Sequence, residues 1–167
     1  METLTRRWRG LMPALVLVVL ACGCDPQRID ELEEGVATEA DVRARFGEPV
    51  AVYPEPDGAR TFEYPRQPAG HRNYMITIGA DGRMSALRQV LKPEEFAKVR
   101  VGLDQAQVRR LLGRPAATQA YPLKQQEAWD WRYLEGTDSR LFSVTFDAAG
   151  HVVETGSRAD PQTQGGG

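Results

Sequence analysis

Few residues in this chain could do covalent chemistry. Cys22 and Cys24 are its only thiols, and no cysteine follows them, so the folded body holds no disulfide and no thiolate metal site. His71 and His151 are its only histidines, and neither stands in an HExxH or His-x-His pattern. No Gly-x-Ser-x-Gly elbow, P-loop or dinucleotide glycine pattern is present. The paired carboxylates Glu33-Glu34 and Glu94-Glu95 fall near helix starts, where they suit the helix dipole better than acid–base work. The aromatic residues offer binding rather than catalysis. Trp129, Trp131 and Tyr133 alternate along one strand, with Asp130 and Arg132 turned the other way. Phe62 and Tyr64 repeat that pattern earlier. These five residues form the candidate partner-binding set, since Trp and Tyr dominate interface hot spots. The competing reading is sheet core beneath helices.

Arg6, Arg7 and Arg9 precede the apolar run Leu11 to Leu20, and small residues and the two cysteines follow. This is an export pattern, too short for a transmembrane helix of about 20 apolar residues. Val19-Leu20-Ala21-Cys22 resembles the lipobox of bacterial lipoproteins, whose cysteine becomes the acylated mature N-terminus. The resemblance implies lipid attachment at Cys22, with Cys24 as the alternative. Gly23 follows Cys22, which implies the periplasmic face of the outer membrane. Asp25 follows Cys24, which would imply the inner membrane. Residues 1–21 are then a signal peptide and 22–28 a tether. Removing 1–21 takes away three arginines and one glutamate and moves the formal charge from −2 to −4.

The 167 residues, 41% apolar and 26% charged, suffice for one ordinary domain or two small ones. No basic stripe stands out, so nucleic acid is excluded as a partner. Thr38 and Asp41 predict a capped helix over Glu39 to Phe46, ended by Gly47 with Pro49 beyond. Asp104 starts a second such helix with Val108, Leu111 and Leu112 on one face, and Gly113 and Pro115 end it. Short helical turns are expected before each, around Ile29 to Val36 and from Pro93 on. Strand-like segments follow both units: Val50–Tyr53, Arg60–Tyr64, Tyr74–Ile78 and Met84–Leu91, then Ala116–Tyr121, Glu127–Tyr133, Leu141–Phe146 and His151–Gly156. Pro49 and Pro115 lie 66 apart, and Gly82 and Gly150 lie 68 apart. The chain therefore reads as one supersecondary unit used twice. The expected class is α+β, with two tandem helix-helix-β repeats over residues 29–91 and 92–159 forming an antiparallel sheet with helices packed on one side. Residues 160–167 read as a disordered tail.

Lys98-Val99-Arg100-Val101-Gly102-Leu103-Asp104, Val108 and Leu111-Leu112-Gly113-Arg114-Pro115 resemble the signature of the SmpA/OmlA (BamE-like) outer-membrane lipoprotein family. Trp129 to Tyr133, Val144-Thr145-Phe146 and Gly150 match its strand order, and the first unit matches more loosely through Gly35, Val42 and Phe46 to Pro49. The tandem arrangement is similar to β-lactamase-inhibitory-protein architecture. The resemblance implies a non-enzymatic, lipid-anchored envelope protein, without cofactor or small-molecule substrate, that binds proteins. Its expected role is outer-membrane protein assembly or envelope integrity, with the β-barrel assembly machinery as candidate partner. The alternative is a periplasmic enzyme-inhibitor-type binding module.

Overall fold

The computed structural model describes residues 32–163. The signal segment, Cys22, Cys24 and residues 164–167 lie outside that range. Thr38 caps α1 (Glu39–Phe46) through a full capping box with Asp41, and Gly47 ends it at φ 83°. Four strands follow: β1 (Ala51–Pro54), β2 (Arg60–Pro65), β3 (Asn73–Ile78) and β4 (Met84–Gln89). They form one antiparallel sheet in sequence order. The second repeat opens with the short α2 (Pro93–Phe96), Pro93 at its first turn. α3 (Gln105–Leu112) is capped by Asp104 and Gln107 and ended by Gly113. β5 (Ala117–Tyr121), β6 (Gln126–Glu135), β7 (Asp138–Phe146) and β8 (Val152–Ala159) form a second antiparallel sheet, again in sequence order.

The repeats agree in fine detail. Gly35 N–H bonds to Met84 C=O and Met84 N–H to Ala37 C=O; Gly102, Val152 and Leu103 make the same two bonds. The register slips at Thr77/Ile78 in one sheet and at Thr145/Phe146 in the other. Gly35 to Ala37 spans one residue more than Gly102 to Leu103, so an insertion in the first loop is visible in the ladder itself.

Three expectations change. Residues 34–36 form a turn, not a helix, because they are tied to β4: Gly35 N–H bonds Met84 C=O, and the Glu34 carboxylate accepts Leu87 N–H. This occupies the outer edge of β4, so the strands divide into two four-stranded sheets. The disordered tail does not begin at Asp160, which is buried and accepts from the Arg132 guanidinium (2.8 Å) and the Ser139 hydroxyl (2.9 Å).

Each sheet has its own helix on one face. α1 buries Val42 and Phe46 against Phe62, Tyr64, Tyr74 and Ile76. Val108 and Leu112 of α3 pack with Trp131, Val144 and Phe146 of the second sheet. The same cluster takes in Met75, which alternation puts on the face of the first sheet opposite Phe62. α3 is therefore sandwiched between the two sheets.

Candidate docking face

The side chains that join the repeats fix which surface remains open. Glu63 is fully buried on the α3-facing side of β2. It accepts from the Tyr53 hydroxyl (2.5 Å), from Nε and Nη2 of Arg109 (3.2 and 3.4 Å) and from Arg114 N–H (2.8 Å). The bond to Glu63 raises the Arg109 pKa above its ordinary value. Asn73 donates to the carbonyls of Leu112 (2.7 Å) and Arg114 (3.0 Å), and Trp131 Nε1 donates to Gly113 C=O (2.9 Å). The open carbonyls at the end of α3 are thus satisfied from both sheets. Both faces of the first sheet are covered. Among the described residues, the face of the second sheet turned away from α3 is open around Asp130, Ser143 and Arg158, while its Leu141 end is buried under the β2–β3 loop and Asp160.

The aromatic partner-binding set is therefore not a surface. Phe62, Tyr64, Trp131 and Tyr133 are buried, and Trp129 is half-buried. Phe62 and Tyr64 meet α1, and Phe46 lies 5.1 Å from Tyr64, centroid to centroid. Tyr133 meets Phe96 edge-on at 4.8 Å, and Trp129 meets Phe146 at 4.9 Å. The physical reason is area. Large aromatic rings on the helix-facing side of a strand stabilise the fold most by leaving water. Cys22 and Cys24, the lipid-attachment candidates, lie outside the described residues.

The open face is built from the residues alternating with those aromatics. Asp130 is its centre. Ser143 donates to Asp130 Oδ1 (2.5 Å), and Arg158 donates to Ser143 (2.7 Å) and to Asp130 Oδ2 (2.9 Å). The register sets Asp130 beside Ser143 and Ser143 beside Gly156, so three strands contribute to one polar row. A shallow depression lies over Gly156, bordered by Ser143, Thr145, Glu154 and Arg158. Alternation already turned Asp130 and Arg132 away from the aromatic face. The same count along β8 groups Glu154, Gly156 and Arg158, which sequence reasoning had not singled out.

The histidines make no catalytic set. His71 Nε2 lies 3.0 Å from Ser139 Oγ, but the Ser139 hydroxyl donates to Asp160. A serine nucleophile would need its proton held by the histidine; here histidine is the donor and serine the relay to a carboxylate. Burial pushes the Asp160 carboxyl up, and the bonds from Gln162, Ser139 and Arg132 outweigh it and hold the group below its ordinary value. It stays ionised. The cluster is a clasp between the β2–β3 loop and the second sheet. Gln67 completes it, its amide bonding both N–H and C=O of Arg132 on the β6 edge that β5 leaves uncovered. His151 sits at the β7–β8 turn, its backbone N–H on Asp147.

Fold and face together define two tandem helix-plus-sheet units, with an open patch on the second sheet among the described residues. Residues 89–156, most of the second repeat, match the family described as the outer membrane protein assembly factor BamE domain. None of the curated proteins matches the chain. Among solved structures, the osmotically inducible lipoprotein OsmE shares 27% identity over 42% of this chain and 75% of its own, at a TM-score of 0.37. The DUF4309 family protein YjgB of Bacillus subtilis shares 19% over 81% and 86%, at 0.33. A protein of Streptococcus mutans described as a beta-lactamase inhibitor shares 12% over 73% and 82%, at 0.30.

Proposed function

We propose that this chain is a lipid-anchored envelope protein, acylated at Cys22, which works by docking proteins at the periplasmic face of the outer membrane. The BamE-domain match at residues 89–156 carries the reading. The export segment and the Leu20-Ala21-Cys22 motif support it. No helix among the described residues is long and apolar enough to cross a membrane. Under this reading an N-terminal lipid holds the domain at the surface and raises its effective concentration near membrane partners. The open patch on the second sheet, with its Asp130–Ser143–Arg158 row, is the surface left to meet them. The candidate partner is the β-barrel assembly machinery.

Intact mass and membrane fractionation of wild type, Cys22→Ala and Cys24→Ala test the anchor. The expected result is acylated wild type in the outer membrane, with acylation lost only in Cys22→Ala. Acylation at Cys24 with retention in the inner membrane would overturn the assembly role. The same open face favours the second reading, an inhibitor-type module clasping a periplasmic enzyme. Affinity capture from envelope extract separates the two: barrel-assembly subunits support the first, and a single soluble hydrolase supports the second.

A further inference from the structure

β8 closes one edge of the second sheet. Its residues 153–159 are exposed on both faces. Such an edge presents a row of unpaired backbone N–H and C=O groups, which sheets usually guard with charged side chains, Lys above all, or with Pro, bulges or a covering loop. The register slip leaves Val153 as an extra residue at one end of β8, and from Glu154 to Ala159 the ladder is regular. Gly156 sits in the middle. Its φ is outside the left-handed region, and no atom lies within 4 Å of where a Cβ would stand. Glycine weakens a strand interior and commonly marks the close approach of another backbone. Nothing among the described residues requires it.

The charges about Gly156 are symmetric. Glu154 and Arg158 stand two residues to either side, on the same face. Glu154 makes no side-chain hydrogen bond or ion pair among the described residues. Arg158 is 53% exposed and uses two of its five N–H donors, on Ser143 and Asp130.

We infer that β8 is a homodimer edge, pairing antiparallel with β8 of a second copy about a two-fold axis at Gly156. Glu154 of each copy then falls opposite Arg158 of the other, and Thr155 opposite Ser157. Unlike charges and hydroxyl pairs directly across strands are favourable contacts. The two-fold repeats every contact, as an isologous interface must. Registers centred on Glu154 or Arg158 would set like charges against each other, and only the register centred on Gly156 forms both ion pairs. β5, at the other edge, reads Ala-Thr-Gln-Ala-Tyr and carries no charge to fix a register. The inference is independent of the lipid anchor and of which partner is bound, and it shares Arg158 with the docking row proposed above.

The test uses the full chain in its own cells. A photoreactive p-benzoylphenylalanine is placed at Ala159, on the rim of the pairing, and in a second strain at Gln119 of β5. Irradiation should give an adduct of twice the chain mass from position 159, containing only this protein by mass spectrometry, and none from 119. Glu154→Arg and Arg158→Glu should each reduce that adduct at least tenfold. Coexpressing the two variants should restore it, because their charges then complement, and recovery also proves both folded. No adduct from 159, an adduct with a different protein, or indifference to the charge variants would overturn the inference.

Discussion

Glu63 governs more of this molecule than any other single side chain. Removing a carboxylate from water costs several kcal/mol unless good geometry and further hydrogen bonds offset it. Glu63 obtains both, but three of its bonds come from Arg109 and Arg114, which belong to the other repeat. The remaining donor, Tyr53, carries a testable consequence. Burial first and the Glu63 carboxylate second push its phenol up to about 12. The fold thus favours the protonated phenol. Stability from this group is intact below the ordinary tyrosine value of about 10 and is lost as pH rises toward the folded value. Denaturant unfolding at several pH values between 8 and 12 should show this alkaline loss, and Tyr53→Phe should flatten it. Some loss should persist in that variant, because burial holds Tyr64 at about 12 too. An identical pH slope in wild type and Tyr53→Phe would reject the account.

At the scale of elements, the two capped helices offer an internal comparison. Gly47 and Gly113 end α1 and α3 with φ of 83° and 74° and extended ψ, a backbone region essentially restricted to glycine. A side chain at Gly47 would meet open space, whereas at Gly113 it would come within 3.1 Å of the Asn73 amide and 3.4 Å of Met75. Gly47→Ala should therefore cost about 1–3 kcal/mol of backbone strain. Gly113→Ala should cost more, because it also crowds Asn73, whose amide satisfies the end of α3. Urea unfolding of both variants measures this; equal losses would mean that the Asn73 contact yields without penalty. Local signals of this kind were legible. The Thr38–Asp41 box and Gly47 placed α1 at its observed ends, because capping involves only residues within one turn. The strands fell within a few residues of their expected bounds, since alternation and Asp-Gly turns are also local. Residues 34–36 misled because the groups they bond, Met84 C=O to Gly35 N–H and Leu87 N–H to the Glu34 carboxylate, lie some fifty residues away.

At the scale of the whole molecule, the repeats share a helix rather than merely touching. α3 packs on one sheet through Val108 and Leu112, and it engages the other through Arg109, Arg110 and the backbone that Asn73 caps. The β2–β3 loop adds a second join at Gln67 and His71. The two units should therefore unfold in one cooperative step. Trp129 and Trp131 report the second repeat, while far-ultraviolet circular dichroism reports both. Coincident denaturant transitions by the two probes are expected for a two-state unit. A tryptophan transition displaced from the circular dichroism one would show repeats that melt separately.

The sequence alone determined the α+β class, the duplication, the ends of the capped helices and which side chains share a strand face. All of these follow from local geometry, repeat spacing or the two-residue period of a strand. Alternation shows that Trp131 and Asp130 face opposite ways, but not which of them meets water. The tertiary structure decided that. Once α3 lies between the sheets, the aromatic side is core and the side of Asp130, Ser143 and Arg158 is the face left open. The physical reason is that a strand's two faces are equivalent to its own backbone and become inside and outside only through elements distant in the chain.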